Sequence, residues 1–117
     1  MVLKVKAVAD SSKKSLKKAQ SLGVEKLYTD YHELLAHSSE MDAIIISLPN
    51  FLHFESVKLS LENGLNIFVE KPMANTVKEC PEVVKFMKKS GRILMVGHCM
   101  RFIEVVEKMK EILDKGI

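Results

Sequence analysis

Hydrophobic positions along this chain switch repeatedly between dense short runs and a helical spacing. Dense runs fall at residues 3–9, 43–48, 66–69 and 93–96, and a weaker one at 24–28. Residues 43–48, Ala-Ile-Ile-Ile-Ser-Leu, carry the strongest strand signal, continuously apolar and β-branched, as in a strand buried on both faces. Residues 24–28 read as an edge strand. Between the runs, apolar residues recur every three to four positions, the period of a helix with one buried face. Ser11 and Ser12 can cap a helix running to about Leu22, with Leu16, Ala19 and Gln20 inward and Gly23 beyond its end. Asp30 with Glu33 forms a capping box for a short helix through Leu34 and Leu35. Phe54, Val57 and Leu61 define the inner face of a third helix that Gly64 closes. The fourth has two competing starts, a Thr76/Glu79 capping box or Pro81; a helix beginning near Pro81 is expected, because proline is best tolerated at the first helical position. A last helix over about 104–115 places Val105, Met109, Ile112 and Leu113 on one side. Strand and helix alternate throughout, which predicts an α/β fold with a parallel sheet and helices on its faces.

Polar residues gather where the strands end. Asp10 ends the first; Ser47, with Asn50 and His53, the third; Glu70 with Lys71 the fourth; and His98 with Arg101 the last. In an open parallel sheet, ligands bind outside the carboxyl ends of the strands, so four polar clusters at successive ends point to one crevice. An acid at a strand end, such as Asp10, can accept hydrogen bonds from a ribose hydroxyl, and it serves equally well as a helix cap. Glu70 and Lys71 have the alternative of a surface ion pair, worth little. His53 and Arg101 could equally be exposed residues at helix starts.

Composition narrows the class. The chain has 117 residues, 47% apolar and 28% charged, which suits one globular domain. No apolar run reaches the ~20 residues of a membrane span, and the first residues lack the pattern of a signal peptide, so a cytoplasmic location is expected. Eighteen basic against fifteen acidic residues leave a net charge of +3. The densest basic cluster, Lys13, Lys14, Lys17 and Lys18, reads as a solvated helix face without the aromatic residues that single-stranded nucleic acid binding calls for. Cys80 and Cys99 form no Cys-x-x-Cys pair, and His32 and His37 are five apart, so no metal site is expected.

The ordered set Val8-Ala9-Asp10, Leu48-Pro49-Asn50-x-x-His53, Gly64 followed six residues on by Glu70-Lys71-Pro72, and Val96-Gly97-His98-x-x-Arg101-Phe102 resembles the nucleotide-binding domain of the Gfo/Idh/MocA family, the glucose-fructose oxidoreductases and inositol dehydrogenases. The resemblance covers essentially the whole chain. It implies NAD or NADP as cofactor, and a sugar, cyclitol or similar alcohol as the substrate of complete relatives. It implies that Lys71 is the catalytic residue, beside the nicotinamide ring and the reacting hydroxyl. An ammonium there can hydrogen-bond the oxygen whose carbon exchanges hydride and, if buried, pass a proton to it. By the same resemblance Ser47, Leu48, Pro49, Asn50 and His53 line the cofactor path, Glu70 approaches the nicotinamide ribose, Arg101 lies at the nicotinamide end, and Lys71 and Pro72 also count among the cofactor-binding residues. Asp10, with Ser11 beside it, would meet the adenine ribose; its charge repels a 2'-phosphate and favours NAD, a preference that Ser11, Lys13 and Lys14 soften.

The family's opening strand, Gly-x-Gly-x-x-Gly turn and helix have no counterpart in these residues: the glycines stand at 23, 64, 91, 97 and 116. The chain is therefore read as a partial Rossmann-like doubly wound sheet, residues 1–117, lacking its first strand and glycine-rich turn, with no substrate domain. The turn normally anchors the pyrophosphate, so alone the chain is expected to show no turnover. The absent strand would be central, and its loss exposes two apolar edges that are expected to drive self-association. A non-catalytic nucleotide-sensing or scaffold module is the alternative. A truncated product with no independent role is another. A phosphoacceptor receiver domain fits poorly, because it needs a phosphoacceptor Asp at a later strand end.

Overall fold

The computed structural model describes residues 3–116. In chain order the elements are β1 (Ala7–Ala9), α1 (Lys13–Ser21), β2 (Lys26–Tyr28), α2 (Tyr31–Leu35), β3 (Ala43–Ile46), α3 (His53–Glu62), β4 (Asn66–Val69), α4 (Glu79–Ser90), β5 (Leu94–Val96) and α5 (Glu104–Asp114), with 3-10 turns at Ser38–Glu40, Asn50–Leu52 and Cys99–Phe102. All strand pairs are parallel. They make two sheets, β1-β2 and β3-β4-β5, with no ladder between β1 and β3.

Local chemistry sets the helix ends. Ser12 caps α1, its side chain accepting the Ser15 N–H, while Asp10 accepts the Ser12 N–H at 2.7 Å and shapes the turn before it. Asp30 caps α2 by accepting the His32 N–H, a bond to the second helical position where the capping box predicts the third. The start of α4 corrects the expectation of a helix beginning near Pro81. The helix opens at Glu79, whose carboxylate accepts the Thr76 N–H at 2.8 Å. Pro81 occupies the third helical position, where its missing N–H would have had no partner within the helix.

The main core lies between one face of β3-β4-β5 and helices α3 and α4, built on Ile46, Val57, Leu61, Ile67, Val69 and Val83. A second, smaller core joins Leu34, Leu35 and Leu65 to Ala7 and Ala9 of β1 and Ile44 of β3. Ile44 packs against both, so α2 ties the two sheets together although no strand ladder does. Tyr31 strengthens this tie by donating to Glu55 of α3 at 3.0 Å; desolvation, and then that carboxylate, push its phenol up to about 12.

Three expectations fail here, the first two because the opposite sheet face has no cover and the third for want of a neighbouring strand. The β3 strand is not buried on both faces: Ile45 is 73% exposed. The apolar side of α5, with Val105, Met109, Ile112 and Leu113, is exposed. The strand expected over 3–9 is confined to its last three residues, as residues 3–6 find no partner. The radius of gyration, 16.7 Å, exceeds the roughly 13 Å of a closed domain of this length. Gln20, expected inward, is exposed.

Leu61→Ala should cost about 2–5 kcal/mol in urea unfolding, because it empties the centre of the main core. The His32 side chain, hydrogen-bonded to Asp30, has its pKa raised by that bond first and by the Asp30 and Glu55 charges after it. A raised folded pKa stabilises below the unfolded value and loses that contribution as pH climbs through the folded one. The melting-temperature difference between the natural chain and His32→Ala should therefore be larger at about pH 5.5 than at about pH 8.5.

Candidate functional site

The carboxyl ends of β3 and β4 are held in register by the ladder between them. Glu70 N–H extends it by donating to the Ile46 carbonyl at 2.9 Å, and Gly97 N–H does the same for β4 and β5, donating to Val69 at 2.8 Å. Beyond these bonds the chain turns out of the sheet at Ser47, Lys71 and His98, so the three ends form one edge.

His53 organises the first two turns. Its side chain is fully buried, with Nδ1 2.5 Å from the Pro72 carbonyl oxygen and Nε2 2.8 Å from the Leu48 carbonyl oxygen. Leu48 belongs to the turn after β3 and Pro72 to the turn after β4, so one ring from the start of α3 ties both. A neutral imidazole donates one of these bonds and an imidazolium both. His53 therefore presents no side-chain atom to a ligand; it sets where Ser47–Asn50 and Glu70–Pro72 stand.

Glu70 and Lys71 leave β4 without pairing. Among the described residues no ion pair involves either, so the surface ion pair does not form. Glu70 lies against Gly97 instead: a Cβ at Gly97 would stand 3.1 Å from Glu70 Oε2 and 3.2 Å from Phe68 Cζ. Glycine suits this close approach, since any side chain would make Glu70 or Phe68 give way. Lys71 is exposed, where a proton-exchanging role calls for burial, because no element among the described residues covers this edge. Its peptide to Pro72 is cis.

His98 sits at the centre of a tight turn, with Cys99 N–H donating to Gly97 O at 2.9 Å, and Arg101 follows on the exposed 3-10 turn. Phe68, Glu70, Met95, Gly97, His98 and Phe102 line an open recess of about 260 Å³ on the uncovered sheet face. That volume accommodates part of a small ligand and not a dinucleotide. Phe68, Met95 and Phe102 are absent from the sequence-based site. The alternation of β4, with Ile67 and Val69 in the core, already sends Phe68 and Glu70 to the other face. Asp10, at the end of β1, is half-buried with Oδ1 committed to the Ser12 amide; Ser11, Ser47, Pro49 and Asn50 are exposed and Leu48 half-buried. Among the described residues no cluster of three metal-ligating side chains occurs, and no helix is long and apolar enough to cross a membrane.

Parallel strands in the order β2-β1 and β3-β4-β5, crossover helices, and polar turns at one sheet edge define a Rossmann-type nucleotide-binding architecture. The profile of the "Oxidoreductase family, NAD-binding Rossmann fold", Gfo/Idh/MocA, matches residues 2–98, and the chain belongs to that family. It is 35% identical over 98 residues to scyllo-inositol 2-dehydrogenase (NAD(+)) of Bacillus subtilis, covering 84% of this chain and 28% of that protein. It is also 35% identical over 85 residues to 2,7-anhydro-N-acetylneuraminate hydratase of Mediterraneibacter gnavus, covering 73% and 23%. The crystal structure of myo-inositol 2-dehydrogenase from Lactobacillus plantarum superposes with a TM-score of 0.85 at 31% identity, over 97% of this chain and 34% of that one. The chain thus spans about a quarter to a third of the length of these relatives.

His53→Ala should destabilise the chain by about 2–4 kcal/mol, because it opens a cavity and removes the ring hydrogen-bonded between the Leu48 and Pro72 turns. Amide resonances of residues 48–50 and 71–73 should shift together in that variant, where a merely local cavity would move only those near α3.

Proposed function

We propose that residues 1–117 supply the edge of an NAD(P)-binding crevice that, in the complete protein, serves hydride transfer to or from a sugar, cyclitol or similar alcohol. The observation that carries this reading is the state of Lys71. Its ammonium stands one residue past the ladder of the central strand β4, is paired with no carboxylate among the described residues, and follows a strand end whose next carbonyl is held by His53.

The residues suit the cofactor on one side. Exposed turns at the ends of β3, β4 and β5 offer backbone groups and the Glu70 carboxylate to a ribose, and Asp10 can accept from a second ribose at the end of β1. A nicotinamide bound along this edge would supply the hydride-accepting or hydride-donating carbon. Lys71 then hydrogen-bonds the substrate oxygen and stabilises charge as it develops, and takes up or returns the hydroxyl proton where the complete protein buries it. Glu70, lying beside Gly97, meets the ribose. Arg101, on the turn after β5, is the group for an anionic or oxygen-rich part of the ligand. The Asp10 carboxylate favours NAD over NADP through repulsion of a 2'-phosphate.

Titration calorimetry of the chain with NADH and NADPH tests this. NADH should bind saturably with a dissociation constant on the order of 1 mM or tighter, more tightly than NADPH, and Asp10→Asn should erase the difference. Amine-labelling mass spectrometry should show Lys71 protected by NADH while Lys13 and Lys14 stay reactive. The absence of saturable binding up to millimolar cofactor, or unprotected Lys71, would overturn the reading.

A further inference from the structure

We infer that the outer face of α1 is a docking surface for a narrow acidic segment of another protein, held by Lys13, Lys14, Lys17 and Lys18. This inference does not depend on the cofactor reading. At about 100° per residue the four lysines fill one continuous arc of about 140° and span about 8 Å along the helix axis. All four are exposed, while half-buried Leu16 and Ala19 lie on the opposite side of a helix that packs on β1 and β2.

Nothing nearby neutralises this charge. Among the described residues none of the four makes an ion pair, whereas every lysine of α5 has a carboxylate at Glu111 or Asp114, and Lys58 of α3 has Glu62. Of the five helices, α1 alone has no acid in its first turn. Residues 1–24 hold six lysines and one acid, net +5; residues 25–117 hold twelve basic and fourteen acidic residues, net −2. The whole positive excess of the chain therefore belongs to the segment that carries α1.

The arrangement costs the helix stability. Lys13 with Lys17 and Lys14 with Lys18 are like charges four residues apart, which repel. Lys13 and Lys14 also stand in the first turn, where the helix dipole favours anions. A face that served solubility alone would mix signs, as α5 does, at no such cost. Local helix rules broken without a structural gain mark a functional surface, and an anion lying on this face relieves both repulsions.

The chemistry of that anion follows from what surrounds the lysines. The helix has no arginine, the side chain whose fork matches phosphate, and no aromatic ring on which a base could stack. Its one exposed apolar neighbour, Leu22, lies past the helix end, so the face has little to insert into a lipid surface. Asp10 before the helix and Glu25 after it bracket the lysines in sequence, and the rest of the chain is net acidic. A broad polyanion, whether duplex or membrane, therefore meets repulsion beyond a short positive strip. A single segment with carboxylates three and four residues apart matches the spacing of the ammoniums.

Titration calorimetry of the 117-residue chain with a capped peptide of four Glu-Ala-Ala-Glu repeats tests the surface. At low salt the peptide should bind with a dissociation constant below about 1 mM, weakening at least about fivefold at about 0.2 M salt. Peptide-induced amide shifts should centre on residues 13–21. Lys13→Glu/Lys14→Glu puts acids in the first turn and turns both repulsive pairs attractive. It should raise the melting temperature by about 2–5 °C while weakening the peptide at least about tenfold, an opposition that a solvated face does not produce. Lys88→Gln/Lys89→Gln, which removes two exposed lysines of α4, should leave the affinity unchanged. Four results would overturn the proposal: no saturable binding up to about 1 mM peptide; an equal loss in the α4 variant, meaning attraction to charge anywhere on the surface; a lower melting temperature in Lys13→Glu/Lys14→Glu, meaning that the lysines support the helix; or tighter binding, at equal anionic charge, to duplex DNA or to phosphatidylglycerol vesicles, meaning that a broad polyanion is the occupant.

Discussion

The buried His53 ring stands between the Leu48 and Pro72 carbonyls, which belong to the turns leaving two adjacent parallel strands. A parallel ladder fixes the strands and says nothing about the loops beyond them; loops at a solvent edge ordinarily drift. Here the α3 start reaches across both turns, and the core beneath α3, through Val57 and Leu61, fixes the ring's own position. Packing in the helix layer is thereby converted into position at the sheet edge. Lys71, though exposed, projects from a backbone anchored one residue away.

The rest of the edge depends on small residues and short bonds of the same kind. Gly97 lets Glu70 lie flat against β5, and the tight turn at His98 redirects the chain before it can cover the recess. The result is an arrangement open on one side, with Ile45, Met95 and Phe102 exposed beside an acid, an amine and an arginine. An apolar face with charged groups at its rim is the half of a binding cleft that a sheet can provide. The other half needs a further layer, and the family to which the chain belongs is matched here over only a quarter to a third of its members' length.

Much of this was legible in the residues. The β-branched run before Ser47, the caps at Ser12 and Asp30, and the spacing of Phe54, Val57 and Leu61 each state a local preference that the fold obeys. The ordered motifs from Asp10 to Arg101 named the family, which the profile match bears out. What was not legible depends on what surrounds an element. Three isoleucines in a row do not reveal whether one face or two will be covered, and α5 has a clear apolar side with nothing to bury it. Pro81 was misplaced by a rule about helix interiors, although the first turn has no hydrogen bond for proline to break. His53 read as an equal choice between lining the cofactor path and an exposed helix start; the side chain is fully buried, so it is not the exposed residue, and no local pattern shows that two distant carbonyls converge on it.

The His53 clasp also bears on how this sequence can change length. Leu48 and His53 are five residues apart, and the 3-10 turn at Asn50–Leu52 fills the interval, so an inserted or deleted residue there would swing the ring away from both carbonyls. The stretch from Asn75 to Lys78 is exposed and touches neither carbonyl, and insertions there leave the clasp intact. Two neighbouring loops of similar appearance should therefore age differently, one kept at a fixed count of residues and the other free to grow.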